Sequence, residues 1–502
     1  MIFSLIPPLT LLSLICVLEG VEVAVTALCA FAISTGIAGL CLSVWLRRSL
    51  PAPQEGSVGF FHPFADSGGG GERVLWCAIQ ALQGSRPAVQ VLLYCRAGAS
   101  AANLCDLAAS SFGIPVEGDF EVVGLQKWDL ILPKRWPRWT MLLQAAGSVW
   151  LCWEGMQKAM PEVMIDTSGW AFMYPLLRLA GVRVVCYTHY PTISTDMLKR
   201  VHTRQAAFNN DNSIAGSTLK SAAKLVYYYM FASLYGAVGA CANVVMVNSS
   251  WTQAHISSLW LRLGTPQLVY PPCNTTSLSA LPLDRKLKSL YLVSLAQFRP
   301  EKNHAKQLRA FALAQEQAAR AWSPASEAVL AARLKIIGSC RDQEDHDRVD
   351  QLEEMAAALG IAEKVDFCVN ASALQVRELL GGAVGGLHSM VDEHFGISVV
   401  EYMAAGTVPI AHNSGGPMMD IVVPCFGEEG EAVGFRCESD EEYAHAMNLV
   451  LSMEQSHRLQ MAAAARRKST TFCDKAFQEG FLSAIGPELR RIQSSCGRTY
   501  QG

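Results

Sequence analysis

The chain has 502 residues, 51% of them hydrophobic, with 41 Lys and Arg against 44 Asp and Glu and a formal net charge of −3. That length exceeds one ordinary core and fits two domains with appendages, and the charge gives no basis for nucleic-acid binding. The 16 cysteines occur singly, without C-x-x-C pairs or zinc-type Cys/His spacing, which reads as reduced, mostly buried thiols rather than a disulfide framework.

Residues 1–46 contain no Lys or Arg. Val23 to Leu46 is an uncharged run long enough to cross a bilayer, and Arg47-Arg48 follows at once. The earlier apolar run, Ile2 to Leu18, is interrupted by Pro7-Pro8 and reads either as a second membrane element or as a partly inserted one. The lack of a basic leader and the length of the apolar span disfavour a cleaved signal peptide. Residues 1–50 are therefore assigned to a membrane anchor, with everything after Arg48 on the cytosolic side by the positive-inside rule. On that topology the sequons at Asn248, Asn274 and Asn370 stay unmodified.

Residues 55–280 read as a first Rossmann-like domain. Val58 to His62 suits a buried strand, Gly68 to Gly71 a glycine loop, and Val74, Leu75, Ala78, Ile79 and Leu82 recur at helical spacing. Strand, glycine loop and helix make a candidate anion site, and equally a tight turn with close helix–strand packing. The loop has neither G-K-[ST] nor G-x-G-x-x-G spacing. Further strands are expected at Val89 to Tyr94, Val163 to Asp166 and Val182 to Thr188. Between them lie Trp128, Trp136, Trp139, Trp150 and Trp153, with Lys134, Arg135 and Arg138 interleaved. We read Lys134 to Trp139 as a membrane-interface candidate and Trp150 and Trp153 as core. The uncharged run Leu225 to Val247 is read as a buried or interfacial helix over about 219–239, then a strand from Val244 to Val247.

Residues 288–485 read as a second domain and 486–502 as a tail. Leu290 to Leu295 is its first strand, with others at Lys335 to Gly338, Val365 to Cys368 and Val384 to His388. Strand–helix alternation in both halves implies an α/β protein with two doubly wound parallel sheets. Arg299 and Lys302, just past the first strand, suit a diphosphate, although R-P-E-K alone is also an ordinary solvated loop. The densest stretch runs from Glu393 to Gly416. It reads as a loop carrying Glu393, a helix from Gly396 to Ala405 carrying Glu401, a stop at Gly406, a strand from Thr407 to Ala411, and a glycine loop before Pro417.

E-x7-E followed by A-A-G-x-x-x-I-A and S-G-G-P resembles retaining glycosyltransferases of family 4, which have the GT-B fold. The motifs F-F-H-P, G-G-G-G-E-R-V-L-W, Y-T-H-Y-P-T-I-S-T-D-M-L, V-M-V-N-S-S-W-T, V-Y-P-P-C and Q-F-R-P-E-K-N-H extend the likeness from Val58 to Ile485. They are similar to those of the α-1,2-mannosyltransferases of the dolichol-linked oligosaccharide pathway. The resemblance implies two Rossmann-like domains facing a cleft and GDP-mannose as donor; with no D-x-D motif or other metal cluster evident near Arg299 and Lys302, those cations are expected to replace a divalent ion. It implies a trimannosyl-chitobiosyl-pyrophosphate-dolichol acceptor at the cytosolic face of the endoplasmic reticulum, two successive additions, and other early-pathway mannosyltransferases as candidate partners. It also implies roles. Arg299 and Lys302 would hold the diphosphate and stabilise leaving GDP, Glu401 the ribose, and Glu393 the transferred sugar. Phe395 and Gly396 would lie in the donor site, Gly69, Gly70 and Gly71 would face the diphosphate, and His189 would lie near the attacking hydroxyl. Asp420 stands where many family members have Glu.

Overall fold

The computed structural model describes residues 21–85, 89–193, 218–261, 264–284, 290–321, 323–422 and 431–499. The apolar run at 2–18 and the motif residues 194–198 lie outside them. The chain divides into two compact units, one of residues 1–248, 252–269 and 478–502, the other of 249–251 and 270–477.

Unit 1 is built on β1 (Gln54–Phe61), β2 (Gln90–Arg96), β3 (Phe120–Leu125), β4 (Pro161–Asp166), β5 (Arg183–Thr188), β6 (Val244–Val247) and β7 (Gln267–Leu268). They form one sheet ordered β3-β2-β1-β4-β5-β6-β7, and each pairing is parallel. The central strands read as near-continuous apolar runs because helices cover both faces of a parallel sheet. Val58, Phe60, Leu92, Leu93, Ile165, Val184 and Val185 are all buried. Unit 2 repeats the plan with β8 (Tyr291–Leu295), β9 (Arg333–Gly338), β10 (Val365–Val369), β11 (Gly385–His388), β12 (Val408–His412) and β13 (Phe435–Cys437), ordered β10-β9-β8-β11-β12-β13. In each unit the strand order reverses beside the first strand, between β1 and β4 and between β8 and β11. Such switch points open a crevice at the carboxyl ends of the strands.

The expected pair of doubly wound parallel sheets is present. The sequence reading omitted β3, β7 and β13, outer strands without a long apolar run to mark them. The run after Leu225 folds as expected, into helix α4 (Thr218–Gly239) and strand β6. Trp150 is a correction: it is 56% exposed rather than core. Trp153, three residues on, packs against the unit 1 core and stacks on Trp45 at 5.8 Å.

Helix α1 (Val21–Ser49) contains the segment expected to span a membrane, with side chains described at Thr26 and from Ser34 onward. Among the described residues no helix is long and apolar enough to cross a membrane. Of the three sequons, Asn248 is buried and the Asn370 side chain accepts a hydrogen bond from the Cys340 N–H at 3.0 Å.

The last helix, α7 (Asp474–Thr499), runs through most of the stretch read as a tail. Buried Glu488 on it receives Arg183 of β5 through two hydrogen bonds, Nε to Oε2 at 2.8 Å and Nη2 to Oε1 at 2.7 Å. A fork of this kind fixes geometry as well as charge. Glu488→Ala is expected to destabilise unit 1 by roughly 1–3 kcal/mol, measured as a lower denaturant midpoint, with Glu488→Gln losing less. An unchanged midpoint in both variants would show that α7 is held by apolar contacts alone.

Candidate active site

In unit 2, β8 ends at Leu295 and the chain turns through Gln297–Arg299 into a single helical turn, Pro300–Lys302. Asn303 then adopts φ 52°, in the left-handed region that Asn tolerates, before helix α5 (His304–Ala321) begins. The neighbouring strand β11 ends at His388, and Ser389 fastens the two loops together. Its hydroxyl lies 2.9 Å from the Lys302 carbonyl and 3.0 Å from that of Asn303, and it accepts from Gln307 Nε2 at 2.8 Å.

That clamp sets Lys302 beside Glu393. Lys302 Nζ donates to Glu393 Oε2 at 2.5 Å and approaches Met390 Sδ at 3.2 Å. His388 Nε2 donates to the same Oε2 at 3.1 Å. Burial alone would raise the Glu393 pKa, but the Lys302 ammonium and the His388 hydrogen bond hold it well below the usual carboxylate range. Glu393 is therefore a fixed anion. Its backbone is fixed too: its carbonyl accepts the Gly416 N–H at 2.7 Å, and the Asp392 N–H donates to Ser414 Oγ at 2.7 Å. A Cβ on Gly415 would meet the Glu393 carbonyl oxygen at 2.2 Å, and one on Gly416 the Phe395 oxygen at 2.4 Å. Only glycine permits that approach, which explains the S-G-G motif.

The remaining expected residues take distinct places. Phe395 is buried between Tyr270 and Phe472, with ring centroids at 5.9 and 5.4 Å, so its side chain anchors the loop in a core. Gly396, at φ 113°, caps helix α6 (Ile397–Ala405) without a side-chain hydrogen bond. The first-turn N–H groups of such a helix suit an anion. Glu401 is partly buried one turn into α6. Arg299 has its Nη1 3.8 Å from Glu301 and is about one-third exposed. Asp420, whose role the sequence left open, accepts from the Ser250 N–H at 2.9 Å, Ser250 Oγ at 2.5 Å and Tyr270 Oη at 3.0 Å.

In unit 1 the switch point carries a second polar group. His62, just past β1, sets Nδ1 2.8 Å from Thr167 Oγ1 and Nε2 3.3 Å from Glu72 Oε1. Glu72 lies in the first turn of helix α2 (Gly70–Gln83), and its Oε2 accepts the Gly69 N–H at 2.7 Å. Burial opposes the Glu72 charge, but His62 and the backbone N–H groups lower its pKa. The Gly69 N–H, expected to face a phosphate, is thus held by the chain's own carboxylate. His189 donates from Nε2 to the Thr167 carbonyl at 3.1 Å, and a Cβ on Gly71 would sit 3.6 Å from that nitrogen. Gly71 and His189 therefore meet at one strand end. His388, His62 and Glu72 escaped the sequence reading. The available signal was a histidine closing an apolar strand, in H-S-M-V-D-E and F-F-H-P. Among the described residues no group of three or more His, Cys, Asp or Glu could hold a metal ion.

Two Rossmann-like parallel-sheet units, each with polar groups at its switch point, are the architecture of GT-B glycosyltransferases. Solved structures agree on the fold. Sucrose-phosphate synthase from Thermosynechococcus elongatus aligns over 88% of this chain and 99% of that one, at 16% identity and a TM-score of 0.61. The α,α-trehalose 6-phosphate synthase of Burkholderia multivorans aligns over 88% and 100%, at 11% identity and a TM-score of 0.60. The family model described as "ALG11 mannosyltransferase N-terminus" matches residues 55–260, and "Glycosyl transferases group 1" matches 282–468. The chain is 46% identical to the GDP-Man:Man(3)GlcNAc(2)-PP-Dol alpha-1,2-mannosyltransferase of Mus musculus, over 88% of this chain and 89% of the mouse protein. It is 44% identical to the Homo sapiens protein of that name over 85% and 86%, and 38% identical to the Dictyostelium discoideum one over 87% and 86%. The chain belongs to the GDP-Man:Man(3)GlcNAc(2)-PP-Dol alpha-1,2-mannosyltransferase family.

His304, two residues after Lys302, is 2% exposed. Burial, with Lys302 nearby, pushes its pKa down from 6.5 to about 4. The unfolded chain thus takes up a proton on His304 at a pH where the folded chain does not. Its stabilising contribution is complete above pH 6.5 and disappears as pH falls to about 4. The wild type is expected to lose roughly 3 kcal/mol across that window, and His304→Phe, set beside Phe298, to show a shallower loss. Parallel stability–pH curves for the two proteins would rule out His304 as the source.

Proposed function

We propose that this chain transfers mannose from GDP-mannose to dolichol-pyrophosphate-linked trimannosyl-chitobiose, forming α-1,2 linkages in two successive additions for protein N-glycosylation. The names of its relatives support the donor, acceptor and linkage. The observation that carries the chemistry is the Lys302–Glu393–His388 group at the unit 2 switch point.

In the reaction the bond between mannose C1 and the diphosphate oxygen breaks, its electron pair leaves with GDP, and the acceptor hydroxyl oxygen bonds to C1. Negative charge grows on the diphosphate, where preorganised cations lower the barrier. Lys302 suits that task. An ammonium has three N–H donors, and contacts to Glu393 and Met390 account for two. Arg299 and the uncapped start of α6 add positive potential on the same loops. Two such cations support diphosphate binding without a divalent ion, so activity is expected to survive EDTA.

Glu393 fits as the acceptor of hydrogen bonds from sugar hydroxyls. A carboxylate held well below the usual range is a weak base and a weak nucleophile. That favours retention by front-face displacement, with the hydroxyl proton passing to the departing phosphate. His189 is assigned to the acceptor, since its place beside Gly71 is within unit 1. Attachment to the endoplasmic reticulum membrane with both units in the cytosol is supported by the exposed apolar side chains of Ile37, Leu40, Leu42, Val44 and Trp45 on α1, followed by Arg47-Arg48.

The test is incubation of the full chain in vesicles with GDP-mannose and the trimannosyl lipid. Two added mannoses, sensitive to an α-1,2-specific mannosidase, are expected, and folded protein that leaves the acceptor unchanged would defeat the reading. Lys302→Ala is expected to cut turnover by about 10²–10³, and near-wild-type turnover would remove Lys302 from the diphosphate site.

A further inference from the structure

We propose that Glu72, His62 and Thr167 of unit 1 are positioning residues for the transfer reaction, acting as one hydrogen-bonded chain that fixes His189 and the glycine loop against each other. The proposal rests on the assignment of His189 to the acceptor and names what holds it there.

The chain crosses three neighbouring strands of the unit 1 sheet, β1, β4 and β5, at their carboxyl ends. His62 follows β1, Thr167 follows β4 and His189 follows β5. Thr167 joins the two histidines through different atoms. Its hydroxyl lies 2.8 Å from His62 Nδ1, and its carbonyl accepts His189 Nε2–H at 3.1 Å. From His62 the chain continues through Nε2 to Glu72 Oε1 at 3.3 Å, and Glu72 Oε2 accepts the Gly69 N–H at 2.7 Å. It closes on itself, because a Cβ on Gly71 would stand 3.6 Å from His189 Nε2.

The joint at Thr167 is rigid. Thr167 is 1% exposed, and the buried Asp166 carboxylate fixes the turn around it. Asp166 Oδ1 accepts the Ser168 and Gly169 N–H groups at 2.8 and 3.0 Å, and Oδ2 accepts the Tyr174 hydroxyl at 2.7 Å. The His62 N–H donates to the Tyr94 carbonyl at 3.0 Å, and the His189 ring stands edge-on to buried Tyr187 at 5.0 Å. Thr167 therefore cannot follow one histidine without disturbing the other.

The acceptors determine where each proton lies, since a carboxylate and a carbonyl oxygen only accept. Burial opposes the Glu72 charge, yet His62 and the backbone N–H groups keep the carboxylate ionised. Facing that anion, a neutral His62 carries its proton on Nε2. Its Nδ1 is then the acceptor, and the Thr167 hydroxyl donates to it. Facing the Thr167 carbonyl, His189 also carries its proton on Nε2, which makes Nδ1 the basic nitrogen of the neutral ring. One charge at Glu72 thus orders the protons from the glycine loop to Thr167, and Thr167 sets the tautomer of His189.

Stability alone does not ask for this arrangement. A carboxylate, an imidazole and a hydroxyl buried in one chain cost desolvation that apolar side chains would avoid, and what they return is a single geometry. A group assigned to a reacting hydroxyl needs that geometry, because a displacement of about 1 Å can cost on the order of 10²-fold in rate.

The test compares the full-chain wild type with Thr167→Val, Thr167→Ser and Glu72→Gln in vesicles holding the trimannosyl lipid, each checked for an unchanged melting temperature. Thr167→Val keeps the shape and the carbonyl but removes the hydroxyl. It is expected to lower kcat by about 10-fold with the KM for GDP-mannose unchanged, while Thr167→Ser keeps the wild-type kcat. Nitrogen NMR of protein carrying isotope-labelled histidine should find the His62 proton on Nε2 in the wild type. In Glu72→Gln the amide keeps its oxygen on the Gly69 N–H and turns its NH2 to the ring, so the proton should move to Nδ1 and kcat should fall severalfold. That near-isosteric variant decides the matter should Thr167→Val fail to fold. Wild-type kcat in both Thr167→Val and Glu72→Gln, equal losses in the two Thr167 variants, a raised donor KM at unchanged kcat, or a wild-type His62 proton on Nδ1 would overturn the proposal. Wild-type protein that shows the expected tautomer but leaves the lipid unextended would refute the assigned reaction while upholding the proton order of the chain.

Discussion

A carboxylate deprived of water survives as an anion only where other groups replace its solvation. Glu393, whose side chain keeps 13% exposure, is close to that position, and much of the unit 2 switch point follows from satisfying it. Lys302 must arrive from β8 and His388 from the end of β11, so both loops must stay registered, which Ser389 and Gln307 accomplish. The Glu393 loop must turn sharply, with Asp392 at φ 56°, and Ser414 holds that turn through the Asp392 N–H. Gly415 and Gly416 remain bare because the Glu393 and Phe395 backbone fills the space a side chain would take. The motif is thus a set of conditions imposed by one buried charge.

The two units reuse one solution with different electrostatics. In each, a histidine at a switch-point strand end turns Nε2 to a carboxylate, His62 to Glu72 and His388 to Glu393. Glu72 receives its other support from the Gly69 N–H at the start of α2, whereas Glu393 receives an ammonium. A helix N-terminus supplies partial charge and a lysine a full one. Unit 2 therefore carries the stronger positive field, as a charged donor requires. In unit 1 the Glu72 carboxylate occupies the glycine-loop N–H that a phosphate would seek.

The sequence disclosed the fold wherever residue pattern and burial coincide. β1, β4, β5 and β8 are apolar runs with few competing interpretations, whereas the strand order that places the two switch points is a long-range property that only the fold discloses. The outer strands β7 and β13 have too few residues to carry a pattern, and β3, though as long as β4, alternates buried with partly exposed positions instead of forming an apolar run. Glu393 and the glycine pair were legible because their spacing reflects one local geometry, and Lys302 because it directly follows the first strand of unit 2. His388 was not, because a histidine ending a strand has many uses and only contact with Glu393 selects one. Trp150 was misread for a related reason: tryptophan is mostly buried on average, but of the two in helix α3 (Thr140–Lys158) only Trp153 faces the core.

Asp420 shows what charge at a motif position does not determine. Following S-G-G-P, an acid there could be assigned to a ligand. Its Oδ1 instead accepts from Ser250 Oγ and Tyr270 Oη, and its Oδ2 from the Ser250 N–H. Those bonds reach two segments distant in sequence, Ser250 in V-N-S-S-W and Tyr270 in V-Y-P-P-C, and all three residues belong to unit 2. A carboxylate with both oxygens so engaged, buried beside Pro417 and Ile421, has little capacity left for a nucleotide. Its negative charge is used to seat two returning stretches of chain on the sheet edge that carries the Glu393 loop. Without the acid, three donors, from Ser250 and Tyr270, would lose their acceptor.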